Sequence, residues 1–259
     1  MQEANRAVIA FLSVFLLIPI QANYNCYNEF NFTEVSSFLS TFIKPNFLVF
    51  DVGANIGKKT DVYLALGANV VCFESQPQCV QELKGKYSSN HGVSIEAIGL
   101  AGKPGMLEFF QSSRAPAIST FSKEYTQDSR FAEHSYVWDK KYIVPVSTLD
   151  SMISKYGMPE FCKIDVEGFE YEVLKGLSSP ISCLSFECNI ENIEVTKKCL
   201  NHLVALGYRS FNFAPGERGW FLYKTWLSAA EILKRLQKTN QDPGWKQIWG
   251  LWGDIYAKL

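Results

Sequence analysis

Two acids bracket a glycine turn in the segment LVFDVGANIGKKTDVYLALGANVVCFESQPQC: Asp51 sits just before the turn, and Glu74 ends the next apolar run. Gly53 and Gly57 are spaced G-x-x-x-G, so the backbone can turn tightly and approach a ligand with no Cβ in the way. The dinucleotide fingerprint G-x-G-x-x-G is absent, and Lys58, Lys59 and Thr60 stand at the wrong spacing for a phosphate-cradling loop. An acid in such a turn repels phosphate and suits a cation. Glu74 follows at about the 20-residue separation at which a carboxylate accepts hydrogen bonds from both hydroxyls of a ribose. A ribose with a cationic, phosphate-free tail describes S-adenosylmethionine, with Asp51 toward its amino-acid and sulfonium side and Glu74 on its ribose. A nicotinamide dinucleotide held by a degenerate glycine pattern is the competing ligand.

A second group of chemically able residues lies in FCKIDVEGFEYEVLKGL and LSFECN. Strand alternation sends Lys163 and Asp165 to one face, with Glu167 and Glu170 on the following turn. Asp165 at a strand's carboxyl end suits a general base for an attacking hydroxyl, or one ligand of a divalent cation that acidifies that hydroxyl. Glu187 ends the next strand and stands beside it in a parallel sheet, so Asp165, Glu167 and Glu187 form the candidate metal set. The cation is an open alternative rather than the expectation, because strand-end carboxylates also cap the helices that follow them. Lys163 either orients Asp165 or neutralises it. Asp165, Lys163 and Glu187 are thus the candidate catalytic residues. His134, alone in a polar stretch, reads as exposed.

The elements that must position these groups alternate regularly. NFLVFDV, NVVCFE and VSIEAIGL read as strands buried on both faces, and the segments Lys58 to Leu66 and Pro77 to Tyr87 as the helices between them. Repeated βα units with short links imply a doubly wound, mainly parallel sheet with right-handed crossovers. Alternation resumes with YIVPVSTL, a helix from Asp150 to Tyr156, EFCKIDV, a helix from Gly168 to Leu177, SCLSFECN and a helix from Glu191 to Leu206. YRSFNFA and RGWFLYKTW, joined by the turn PGER, are expected to form a C-terminal antiparallel hairpin, followed by a helix from Ala229 to Lys238 and a tail packed back on the domain. Between Gly102 and Tyr142 the pattern breaks. Apart from a strand in GKPGMLEFFQSS, this stretch has no clean period yet carries Phe121, Tyr125, Phe131, Tyr136 and Trp138, which suggests a lid-like insertion at about 102–142.

The chain of 259 residues is 47% hydrophobic and carries a formal net charge of −1, enough apolar content for one α/β domain and no field that would attract nucleic acid regardless of sequence. A small-molecule or glycan acceptor is expected, and no nucleic acid. Seven cysteines, several inside apolar runs and none in C-x-x-C spacing, read as buried free thiols in a reducing compartment. The uncharged run Ala7 to Ile20 is shorter than the ~20 residues a helix needs to span a bilayer. Residues 1–22 are expected to be an export signal or a membrane-resting anchor, and 23–259 the catalytic domain. The expected location is cytoplasmic with membrane association through that segment, or, alternatively, outside the cell after export.

In order, FDVGANIG, FESQPQCVQEL, VSTLDSMISKYG, FCKIDVEGFEYEVLKGL, LSFECN and WGDIYAK resemble the FkbM family of S-adenosylmethionine-dependent methyltransferases, over roughly Phe47 to Lys258. The pairing of DVGANIG with KIDVEGFE is more specific than either motif alone. The resemblance implies a class I methyltransferase fold, Rossmann-like, with seven strands of which the last pair is antiparallel. It carries the cofactor positions onto Asp51, Gly53, Asn55, Gly57 and Glu74, with Ala54 in the same turn. It also implies methylation of a hydroxyl on a sugar, glycan or secondary metabolite. A noncatalytic methyltransferase-like binding domain would keep Asp51 and Glu74 but lose the acids after the fourth strand, which are present here. A nicotinamide-dependent oxidoreductase is disfavoured by the glycine spacing.

Overall fold

The computed structural model describes residues 30–241 and 252–259. Its main sheet has seven strands: β1 Leu48–Val52, β2 Asn69–Phe73, β3 Val93–Glu96, β7 Phe161–Ile164, β8 Cys183–Asn189, β9 Ser210–Pro215 and β10 Trp252–Lys258, in the order β3-β2-β1-β7-β8-β10-β9. The first five are parallel to one another, and β10 runs antiparallel to both β8 and β9. From β1 the chain steps outward through β2 and β3, then returns to the other side of β1 with β7. Strand order therefore reverses between β1 and β7, where open α/β sheets hold their ligands beyond the carboxyl ends. The register sets Asp51 level with Lys163 across that point.

Alternation along β1 explains how the sheet is covered. Phe50 and Val52 join one buried cluster with Phe73, Ile164, Phe186 and Phe213, while Val49 points to a second with Val35, Leu39, Tyr63, Phe161 and Tyr256. Helices α1 Phe32–Leu39 and α2 Lys58–Ala65 supply the second face. Helix α3 Pro77–Lys86 follows β2, with proline in its first turn where no N–H is needed.

The sequence reading departs from the structure in four places. VSIEAIGL breaks into β3 and the two-residue β4 Gly99–Leu100, which leaves the main sheet. YIVPVSTL belongs to β6 Lys140–Ser147, in a separate three-stranded sheet with β4 parallel and β5 Gly105–Gln111 antiparallel to it. The stretch after β5 is not structureless: it holds the short helices α4 Tyr125–Asp128 and α5 Arg130–Glu133, with the aromatic side chains packed on one another. The antiparallel partner of β9 is the distant β10, not RGWFLYKTW. Phe221 and Trp226 of that segment instead meet Phe42 edge to face, and Phe221 also meets Tyr256, so their apolar surface is buried by ring packing.

Helices α6 Leu149–Tyr156, α7 Glu170–Leu174, α8 Ile193–Ala205 and α9 Ala229–Gln241 complete the layers. The six cysteines among the described residues are free and buried. Among the described residues no helix is long and apolar enough to cross a membrane, and the run Ala7 to Ile20 lies outside them.

Candidate active site

The glycine turn is built against the end of β7. Gly53 has φ +84, and a Cβ there would lie 1.8 Å from the Asp165 carbonyl oxygen, so only glycine lets the two strand ends meet. Gly57, at φ +81, opens α2, and the Tyr87 hydroxyl donates to its carbonyl at 3.0 Å. Beneath the turn Asp51 accepts a 2.6 Å hydrogen bond from the Thr60 hydroxyl. Burial pushes the Asp51 carboxyl up to about 6, while the Thr60 hydrogen bond and the Lys163 charge pull the other way.

Glu74 is 5% exposed, and its side chain folds back onto the backbone. Its Oε2 accepts from the Asn55 amide at 2.7 Å and its Oε1 from the Ser75 and Gln76 amides at 2.8 and 2.7 Å. Burial raises this carboxyl, opposed by the three amides. Asn55 itself sits in the left-handed region at φ 51. Glu74 therefore ties the end of β2 to the glycine turn and keeps one lone pair, on Oε2, for a ligand.

Around the end of β7 the acids divide into two sets. Lys163, buried, places its Nζ 2.7 Å from Asp254 Oδ1 and 3.2 Å from Asp165 Oδ2. Burial works against its charge, and Asp165 and Asp254 outweigh that and raise it. On the other side, Asp165, Glu167 and Glu187 bring one carboxylate oxygen each within 4.8 Å of one another. Burial, and after it the nearness of the other acids, holds Glu167 and Glu187 well above the usual carboxylate range. Buried Glu170 accepts from the amides of Val166 and Gly168 at 3.2 and 3.1 Å and braces the turn from below.

The insertion closes over both halves. The Thr120 hydroxyl, fully buried, donates to the Glu167 carbonyl at 2.7 Å, and the Tyr125 hydroxyl donates to the Glu167 carboxylate. Arg130 Nη1 donates to Asn189 Oδ1 at 2.9 Å. A cavity partly open to solvent runs past Glu74, Gln76, Ile98, Phe109, Ser119 and Phe121. A wider cleft, also open to solvent, includes Asp51, Lys59, Phe131, Lys163, Glu187 and Trp252. Gly53, Asn55, Asp165 and Glu167 line both, so the two spaces share one wall.

The candidates read from the sequence thus gather at one place. Asp51, Ala54, Lys163 and Glu187 line the wider cleft and Glu74 the cavity, while Gly57 supports the turn from behind. Asp165, Glu167 and Glu187 form an oxygen-rich set of the kind hard cations accept, though a cluster of acids alone does not define a metal site. His134 is not among them: it is exposed, and its Nδ1 pairs with the carbonyl of Arg130 in its own turn. Asp254, Thr60 and Tyr125 were not legible as site residues. Only Asp254 left a signal, since it lies within WGDIYAK, and its role depends on a pairing with Lys163 across 91 positions of chain.

A seven-stranded sheet of this order, with a glycine turn after β1 and an acid after β2, defines a class I methyltransferase of the Rossmann-like type. Residues 51–209 match the family model described as the methyltransferase FkbM domain, and the chain belongs to that family of S-adenosylmethionine-dependent methyltransferases. No curated protein matches the chain. Similar solved structures include precorrin-6y C5,15-methyltransferase from Geobacter metallireducens, at 9% identity and TM-score 0.42, covering 86% of each chain. An rRNA methylase from Streptococcus thermophilus aligns at 11% identity and TM-score 0.41, covering 86% of this chain and 92% of that one. An S-adenosylmethionine-dependent O-methyltransferase from Thermotoga maritima aligns at 10% identity and TM-score 0.42, covering 92% and 70%. The rRNA methylase does not fit the expectation of no nucleic-acid partner, but likenesses this loose carry no argument about the acceptor in either direction.

Proposed function

We propose that this chain transfers the methyl group of S-adenosylmethionine to a hydroxyl of a sugar, glycan or secondary metabolite. The observation that carries the reading is the shared wall: Asp165 and Glu167 line both the cavity and the wider cleft. Bound in the cavity, the cofactor supplies a sulfonium methyl group open to in-line attack. Glu74 accepts from a ribose hydroxyl in the cavity, and Asp51, which lines the cleft, faces the cationic end where it reaches past the shared wall. In the wider cleft Asp165 accepts the proton that the attacking hydroxyl gives up as its oxygen bonds to carbon, with the carboxyl groups of Glu167 and Glu187 beside it. Lys163, 3.2 Å from Asp165 Oδ2, keeps that carboxyl aimed. The insertion acts as a lid that excludes water, so the donor is not spent on hydrolysis.

The buried free thiols support a reducing compartment. The test is calorimetry with S-adenosylhomocysteine beside a turnover screen of hydroxyl acceptors, on wild type and Asp165→Ala. The variant is expected to bind S-adenosylhomocysteine as wild type does and to lose about 100-fold or more in turnover. Retained turnover would remove Asp165 from the mechanism.

A further inference from the structure

The three-stranded sheet leaves part of one edge open. Its order is β4-β6-β5, so β5 is an outer strand. Across the antiparallel pair, Met106 stands opposite Pro145, Glu108 opposite Ile143 and Phe110 opposite Lys141. Proline has no N–H to exchange, so Met106 and Pro145 form a non-hydrogen-bonded pair, and by alternation the other two pairs do as well. The N–H and C=O of Met106, Glu108 and Phe110 therefore point away from β6. Phe110 bears this out, since its N–H donates to the Thr120 carbonyl at 2.8 Å and its carbonyl accepts from the Thr120 amide at 2.9 Å. Among the described residues no backbone group outside the sheet pairs with Met106 or Glu108 in the same way. The side chains on this face are open too: Met106 is 59% and Ile143 64% exposed, and Lys141 holds Glu108 at 3.5 Å beside them. An unpaired edge bordered by apolar side chains is a template for another strand.

The two ends of the open stretch decide which strand fits. Pro104 has no N–H to offer, and the outward groups of Phe110 are taken by Thr120. A second copy of this chain meets these limits in one antiparallel register. With a two-fold axis through Leu107, Met106 of each copy faces Glu108 of the other, and both residues of each pair present outward groups, so four hydrogen bonds form. An axis through Met106 would set Glu108 against Pro104, and one through Glu108 would set Met106 against Phe110. An axis between residues would match outward groups with inward ones. Each Glu108 keeps its Lys141, so no unpaired charge enters the contact.

We propose that the Met106–Glu108 edge of β5 is a self-complementary dimer interface that joins the small sheets of two copies into one continuous sheet. Gly105 carries no side chain to meet the Thr120 segment of the other copy where the paired strands part. Phe109, one residue beyond the pairing, lines the cavity, so the contact braces the root of the insertion.

The test is sedimentation equilibrium of the full chain between about 1 and 200 μM, a range suited to a contact this small. Wild type is expected to pass from monomer to dimer. Met106→Pro removes one outward N–H from each copy while leaving the bonds to β6, and should weaken the dimer about tenfold or more with the melting temperature of the monomer little changed. Leu107→Cys places a thiol on the axis opposite its own copy, and mild oxidation should give a disulfide-linked dimer. Glu108→Cys, which faces Met106 of the other copy, should cross-link far less. A wild-type chain that stays monomeric throughout, or a dimer that Met106→Pro does not weaken, overturns the assignment. Should Met106→Pro not fold, the cross-linking decides it: Glu108→Cys linking as readily as Leu107→Cys, or neither linking, also overturns it.

Discussion

At the scale of single residues, the most informative group is Asp51, because its environment resists the charge that its proposed task requires. Burial raises its carboxyl to about 6, above the value it has in an unfolded chain. A raised acid binds protons more tightly in the folded state. Its contribution to stability is therefore present in acid and is lost as pH rises through about 6. Cofactor binding has the opposite sign, because a cationic ligand favours the carboxylate. The affinity of S-adenosylmethionine is expected to level off above pH 6 and to weaken by up to about tenfold per unit below it. Calorimetry between pH 5 and 8 measures this, and Asp51→Asn should be weaker and flat across the range. A wild-type profile as flat as the variant's would separate Asp51 from the cationic end of the ligand.

At the scale of elements, the insertion is fastened to the acidic turn by two buried hydroxyls, of Thr120 and Tyr125. Thr120 donates to the Glu167 carbonyl and accepts from the Ser122 amide at 2.8 Å. Thr120→Val keeps the shape and orphans both partners, a loss of about 1–3 kcal/mol each. Because the surrounding core is untouched, the effect should be local opening. Trypsin is expected to cut at Lys123 and Arg130 roughly tenfold faster, with little change in global melting temperature and a reduced kcat. Unchanged cleavage would show that the insertion is held by Tyr125 and its aromatic packing rather than by Thr120. This fastening was not readable in advance, and the reason applies to the other departures. β1, β2 and β7 announce themselves because a strand buried on both faces is a continuous apolar run, and Gly53 because a turn leaves a glycine. The second sheet and the β9–β10 pair depend on partners far apart in the chain. RGWFLYKTW has the composition of a strand, but its rings are buried by other rings. Asp51, Glu74 and Asp165 could be placed because strand ends are local features, whereas Thr120 acquires its role only when an irregular segment folds back.

At the scale of the whole molecule, the last strand joins stability to the site. β10 lies between β8 and β9, so residues 252–258 complete the sheet and also deliver Asp254 to Lys163. Lys163, with 3% of its side chain exposed, has Asp254 at 2.7 Å and Asp165 at 3.2 Å. Removing Asp254 leaves a buried ammonium with Asp165 as its remaining acid in this trio, and breaking a buried pair costs about 3–5 kcal/mol. For a domain of this size the lower figure corresponds to a melting temperature lower by roughly 6–12 °C. Loss of fold and loss of chemistry are confounded in Asp254→Ala, and the double variant Lys163→Met with Asp254→Leu separates them. Replacing both charges by apolar groups removes the desolvation cost together with the attraction, so melting should return most of the way to wild type. Turnover should not return, because nothing then holds Asp165 toward the acceptor. A double variant that regained both would make the buried trio a feature of the fold alone. Asp254→Ala melting within about 2 °C of wild type would show that the trio does not stabilise the fold.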